Sequence, residues 1–276
     1  MDDNRTPPPE VLAFYEAYTE ESRLQDGPFQ LEFERTKDIL TRLLPAAPAR
    51  IVDVGGAAGA YSLWLAERGY RVHLVDASAR LVHEARARSA RSAAPLASLS
   101  VADARNLPQD SDSADAVLVM GPLYHLTEEA DRLTALREAW RVVVGGGVVI
   151  VAAISRYASA MDGLSRRILD PQFVAIRNRD LVDGQHRNDT GTLNYFTTAY
   201  FHRPDDLRAE LETAGFRNVS LVGVEGPAWI LPDFAERWAD PALRQDMLDI
   251  SRALEAEPSV IGLSAHLLAV GRKDPK

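Results

Sequence analysis

The sequence predicts an α/β fold, a largely parallel sheet with helices on both faces. Three observations lead there. Between residues 50 and 154 short apolar segments alternate with amphipathic ones, the order that builds parallel strands joined by helices. The apolar segments are nearly continuous, as strands covered on both faces are. "IVDVGGAAGAYSLWLAERGYRVHLVDAS" (51–78) puts a glycine turn between the first strand of this run and its helix. Open α/β sheets bind ligands at that position.

The elements follow in order. Residues 1–9 are proline-rich and are expected to fray. "EVLAFYEAYTEESRL" (10–24) reads as a helix. "FQLEFERTKDILTRLL" (29–44) reads as a clearer one, with Phe29, Phe33, Thr36, Leu40 and Leu43 or Leu44 on one face and Pro45 and Pro48 ending it. Strands are expected at 50–54, 71–76, 97–103, 114–121 and 146–154, with helices at 61–69, 79–90 and 128–143. Gly69 serves as a C-cap and Ser78 as an N-cap. The regularity lapses until "RPDDLRAELETAGF" (203–216), a capped helix. Strands at 218–224 and 264–272 and a helix at 233–256 complete the chain. The excursions at 154–203 and 227–260 are too long for simple loops and predict caps or substrate walls. The expected organisation is an N-terminal helical lid over residues 1–44 and a core over 45–276 with these two insertions.

Composition narrows the function. The 276 residues allow one large domain with a cap, and 46% hydrophobic residues suffice for a full core. A formal net charge of −9 disfavours a nucleic-acid partner. The chain has no cysteine, which removes disulfides, thiolate metal sites and a cysteine nucleophile and fits the cytoplasm. "MDDNRTPPPE" has no apolar core of a signal peptide. The longest apolar run, "VVVGGGVVIVAAI" (142–154), is too short and too glycine-broken to span a membrane. Among the six histidines no pair has the helical spacing of a zinc site, so no metal centre is expected. Gly145–Gly147 read as a structural turn.

The glycine turn has two readings. A nicotinamide cofactor wants G-x-G-x-x-G, and counted from Gly55 its second and third glycines are Ala57 and Ala60. A Cβ there obstructs a pyrophosphate. S-adenosylmethionine has no pyrophosphate, and D-x-G-x-x-x-G, with Asp53, Gly55 and Gly59, suits it better. Asp76 ends the second strand, where its carboxylate can accept hydrogen bonds from ribose hydroxyls, and Asp103 ends the third, where it can accept from an adenine amino group. A bare structural turn and a non-catalytic binding or regulatory protein remain as alternatives.

"VDVGGAAG", "LVDAS", "ADARNLP", "ADAVLVMGPLYHL" and "VVVGGGVVIVAA" together resemble, in order and spacing, the class I S-adenosylmethionine-dependent methyltransferases of the small-molecule, UbiE-like type. The likeness is strong over residues 50–154 and reaches 216 through "FHRPDDLRAELETAGF". The departure is Ala57, where that family usually has glycine. The resemblance implies a Rossmann-like, doubly wound, seven-stranded sheet with the last strand antiparallel. It implies Gly55, Gly56 and Gly59 at the methionine moiety, Asp76 and Ala77 at the ribose and adenine, Asp103 and Ala104 at the adenine, and Met120 and Gly121 at the tail. "EESRL" (20–24) suggests Arg23 as a partner for the cofactor carboxylate.

Methyl transfer needs an aligned nucleophile, exclusion of water and, for a hydroxyl or protonated amine, a base. His125 in "GPLYHL" is the first candidate, His202 in "TAYFHRP" the second, and Tyr124 a third. His73 and His266, inside expected strands, read as packing residues. Tyr15, Tyr18, Tyr124, Tyr157, Tyr195 and Tyr200 are concentrated in the segments expected to wall a drug-sized acceptor. Oxygen, nitrogen and carbon acceptors all remain open, and the sequence sets no oligomeric state.

Overall fold

Every strand expected from the sequence forms. The computed structural model describes residues 9–17, 23–24 and 26–275. Strands β1 (Arg50–Val54), β2 (Arg71–Asp76), β3 (Ser98–Val101), β4 (Ala114–Val119) and β5 (Val143–Ser155) pair in parallel in the order 3-2-1-4-5. β9 (His266–Arg272) is antiparallel to β5 on its other edge, and β8 (Arg217–Gly223) is antiparallel to β9. The seven-stranded body with an antiparallel last strand is therefore present.

Side chains alternate between two cores, as strand pleating requires. Val52, Val54, Val117 and Val149 face helices α6 (Glu129–Val142) and α9 (Pro204–Thr213), through Leu136, Leu207 and Leu211. Ile51, Leu74, Leu118 and Ile150 face α2 (Phe29–Leu43), α3 (Ala60–Ala66) and α4 (Ala79–Arg91), through Leu40, Leu65 and Val82. Each such fully buried side chain contributes about 1.5–3 kcal/mol. Ser78 caps α4, its Oγ accepting from Leu81 N at 3.3 Å.

Two local expectations are corrected, and the form of one excursion is specified. The buried face of α2 is Leu31, Glu32, Arg35, Thr36, Ile39 and Leu40, with Phe29 exposed. Arg35 can be buried because it donates to Val224 O at 3.2 Å and pairs with Asp38 and Glu255. The helix expected over 233–256 is two, α10 (Phe234–Ala239) and α11 (Pro241–Leu254). Pro241 forces the break, since the residue before proline is pushed out of helical geometry, and Asp240 then caps α11. The excursion at 154–203 is ordered into α7 (Ala158–Ser165), α8 (Pro171–Asp183) and a hairpin of β6 (Gln185–His186) and β7 (Ala199–His202). Asp170 caps α8, Pro171 opens it, and Gly184 closes it at φ 77°.

β7 pairs in parallel with β5 at Ile154 and Ser155, just beyond the end of β4. The hairpin thus stands over the carboxyl ends of the central strands. Helix α1 (Pro9–Ala17) lies across the same end. Thr197 Oγ1 donates to Glu10 O at 3.3 Å, and Arg80 donates to Tyr15 O at 2.6 Å. Residues 18–22, including Tyr18, lie outside the described residues.

Candidate active site

The turn after β1 is built by close packing. Gly55 has φ 77°, and a Cβ there would meet Pro122 Cδ at 2.3 Å. Gly59 has φ 85° and caps α3. Ala57 also adopts positive φ, 46°, where glycine is the unstrained residue. Its N–H donates to Asp76 Oδ2 at 2.9 Å, and Ser78 N–H donates to Oδ1 at 2.8 Å. Burial raises the Asp76 carboxyl against these two bonds.

A cavity of about 110 Å³ opens against this turn. Gly55, Asp76, Ala77, Asp103, Ala104 and Gly121 line it, six of the eleven residues expected at the cofactor, with Leu81, Ala102 and Leu126 as apolar walls. The set fits an adenosyl group: a carboxylate with acceptor capacity at the end of β2, and flat apolar surface beside it. Asp103 is more committed than expected, because Arg105 donates to both of its oxygens at 2.9 and 2.8 Å.

The other expected cofactor residues stand back. Gly56 packs under the turn, where a Cβ would meet Leu74 at 2.8 Å. Asp53 is buried beneath the turn, accepts from Ser62 Oγ at 2.6 Å, and is pushed up to about 6 by burial. Met120 packs into the core on the α2–α4 side. Arg23 ion-pairs with Glu32 at 2.6 Å and faces a second, larger cavity.

That second cavity, about 510 Å³, is walled by aromatic rings, among them Phe14, Phe29, Tyr124, Tyr195, Phe196 and Trp229. Tyr15 lines both cavities. Its hydroxyl lies 2.9 Å from His125 Nε2, and His125 Nδ1 lies 3.1 Å from Thr198 O. A carbonyl only accepts, so Nδ1 carries the proton, Nε2 accepts, and the Tyr15 hydroxyl donates. Burial pushes His125 down to about 4. Tyr124 stacks edge-on against His125, with ring centres 4.7 Å apart. Tyr157 and Tyr200 are not in the wall, and the Arg132 guanidinium stacks over the Tyr200 ring, 3.7 Å from its centre.

His202 is corrected. It is fully buried, its Nε2 lies 3.2 Å from Glu210 Oε2, and it lines neither cavity. Glu210 also receives Arg132, so His202 belongs to the packing of α9 on α6.

Two constellations escaped the sequence reading. His186 places Nδ1 at 2.9 Å from Asp180 Oδ2 and Nε2 at 2.8 Å from Tyr195 O, while Ser159 Oγ donates to the same carboxylate oxygen. This ties α7, α8 and the 193–196 wall together. At the opposite end Glu32, Glu225 and His266 converge within 4.8 Å. Glu32 is already neutralised by Arg23, and His266 Nδ1 lies 2.5 Å from Glu225 Oε1. Beside these carboxylates His266 is held up at about 9, and with Arg23 the three side chains form an ion-pair network. The residues come from α2, the end of β8 and the start of β9, and no local motif links them.

Residues 51–147 match the family model described as a methyltransferase domain. The chain carries a methyltransferase domain of the class I S-adenosylmethionine-dependent family. The nicotinamide reading gives way to it. The chain is 32% identical over 178 residues to a malonyl-[acyl-carrier protein] O-methyltransferase of Geobacter sulfurreducens, covering 63% of this chain and 58% of that protein. It is 35% identical over 105 residues to an uncharacterized methyltransferase of Mycobacterium tuberculosis, covering 38% and 40%. The matches thus span less than two thirds of these curated relatives. A solved S-adenosylmethionine-dependent methyltransferase of Thermotoga maritima, described as a possible histamine N-methyltransferase, shares the fold with a TM-score of 0.58 at 18% identity, covering 96% of this chain and 100% of that one. One from Mesorhizobium loti gives a TM-score of 0.57 at 20% identity, covering 88% and 100%. No helix among the described residues is long and apolar enough to cross a membrane.

Proposed function

We propose that this protein methylates a small molecule at oxygen or nitrogen, with the smaller cavity holding S-adenosylmethionine and the larger one holding the acceptor. The observation that carries the reading is Tyr15, which lines both cavities and donates to His125. When bound, the cofactor supplies the methyl group on a sulfonium, a good leaving group. Asp76 and the apolar residues beside it orient the adenosyl end. Tyr15 stands at the boundary, where its oxygen takes the acceptor's proton while its own proton passes to His125 Nε2. Thr198 O, already bonded to Nδ1–H, stabilises the imidazolium that results. The aromatic walls exclude water. Helix α1 and the 154–203 insertion serve as the lid, and the cytoplasm is the compartment we infer from the sequence.

The test is incubation of the full chain with methyl-labelled S-adenosylmethionine and a pool of cell-extract metabolites, read by mass spectrometry. Label on a small molecule is expected. Binding of S-adenosylhomocysteine without transfer to any metabolite would favour a non-catalytic binding protein.

A further inference from the structure

The floor of the larger cavity carries a polar atom, His266 Nε2, that has no hydrogen-bond partner among the described residues. His266 opens β9, opposite Ile154 of β5, and lines the cavity with its side chain about 20% exposed. Glu225, buried at the end of β8, receives Ser264 Oγ at 2.6 Å and His266 N at 3.0 Å on Oε2, and sits 2.5 Å from His266 Nδ1 on Oε1. Glu32 is engaged by both terminal nitrogens of Arg23, at 2.6 and 3.2 Å. The carboxylates are therefore spent inside the network, and they fix the ring so that Nδ1–H points to Glu225. Nε2 has no hydrogen-bond partner among the described residues.

We propose that the larger cavity selects acceptors bearing a carboxylate, which takes a hydrogen bond from His266 Nε2–H while the group to be methylated turns toward Tyr15. The inference rests on reading this cavity as the acceptor site. The charged groups facing His266 are Glu225, Glu32 and Arg23, and the two carboxylates keep the ring cationic at neutral pH despite its burial. A cationic ring inside aromatic walls offers a charge-assisted bond in a low dielectric, where such bonds are strongest. The rings around it, among them Phe29, Tyr124, Phe196 and Trp229, suit a carboxylate on an apolar or aromatic body. An ammonium group gains nothing from Nε2–H, and a neutral amide gains only the weaker bond.

Three matched probes test this: 3-phenylpropanoate, 3-phenylpropanamide and 3-phenylpropylamine. Each is titrated calorimetrically into the full chain with and without saturating S-adenosylhomocysteine. The carboxylate is expected to bind about tenfold tighter than either analogue, the scale of a charged hydrogen bond. His266→Gln should abolish that preference and leave S-adenosylhomocysteine affinity unchanged. Nitrogen-15 NMR of wild-type protein should show the His266 Nε2 resonance moving with the carboxylate alone, which keeps the idea testable if the variant does not fold. Equal or tighter binding of the amide or amine, no binding of the carboxylate at millimolar concentration, or an unmoved His266 resonance would each overturn it. Carboxylate docking at His266 in a protein that ignores S-adenosylhomocysteine would support the anion site and sink the methyltransfer reading instead.

Discussion

The Tyr15 hydroxyl lies 2.9 Å from His125 Nε2, and the two rings meet edge to face with centres 5.4 Å apart. One residue comes from helix α1 and the other from α5 (Pro122–His125), the short helix after β4, 110 positions later. Their contact closes the smaller cavity and borders the larger one, and in the function proposed above it is the path by which a proton released by the acceptor would enter the protein.

Removing either partner is expected to affect turnover more than cofactor affinity. Tyr15→Phe and His125→Ala should each lower kcat by about 10²–10⁴-fold, the usual reach of general base catalysis. The measurement is steady-state kinetics with an acceptor found by label transfer. A raised KM at constant kcat in both variants would reduce the pair to positioning the acceptor.

The pH profile of the wild type should rise through about 4 and then stay flat through neutrality, because burial lowers His125 to that value. Above it Nε2 is free to accept; below it the ring is already protonated. In stability the sign is the same. A histidine whose folded pKa is depressed contributes stability above the unfolded value, about 6.5, and that contribution is lost as pH falls toward 4. An inflection in rate near 6.5 would contradict the buried, neutral His125.

Asp76→Ala should weaken S-adenosylhomocysteine at least about tenfold, since each charge-assisted hydrogen bond contributes roughly 1.5–3 kcal/mol. The same carboxylate anchors Ala57 N–H, so Asp76→Asn, which keeps one oxygen acceptor, should lose less. Calorimetry decides, and an unchanged dissociation constant for Asp76→Ala would limit Asp76 to holding the turn.

Ala57 and Gly55 should respond in opposite directions. Ala57→Gly relieves a left-handed alanine, worth about 1–2 kcal/mol, against about 0.4–1 kcal/mol of added unfolded-state entropy. Thermal unfolding should show a neutral to slightly higher Tm. Gly55→Ala drives a Cβ to 2.3 Å from Pro122 and adds the same backbone strain, so it should lower Tm and weaken the cofactor together. A destabilised Ala57→Gly would mean that its methyl group packs usefully.

Helix α1 and the 154–203 insertion should exchange amide hydrogens more slowly once S-adenosylhomocysteine is bound. The bonds from Thr197 and Thr198 to Glu10 already tie the two segments over the turn. Protection confined to residues 50–121 would argue against a lid.

The residues alone carried the sheet, its helices, the glycine turn and the methyltransferase domain. These depend on local signals: near-continuous apolar strands, helical periodicity, and carboxylates at strand ends where ligands bind. Asp170–Pro171 and Gly184 bracketed α8 as plainly, but the weakly amphipathic segment between them hid it. Tertiary structure alone decided which distant groups meet. Arg23 pairs with Glu32 at the larger cavity, His202 turns inward to Glu210, and His266, which reads as a packed strand residue, becomes a cation at the cavity floor. The physical reason is that β9 runs antiparallel between β5 and β8. Its first residue thereby lies beside the end of β8 and against α2, so the proton on His266 is held by Glu32 and Glu225, 234 and 41 residues away in sequence.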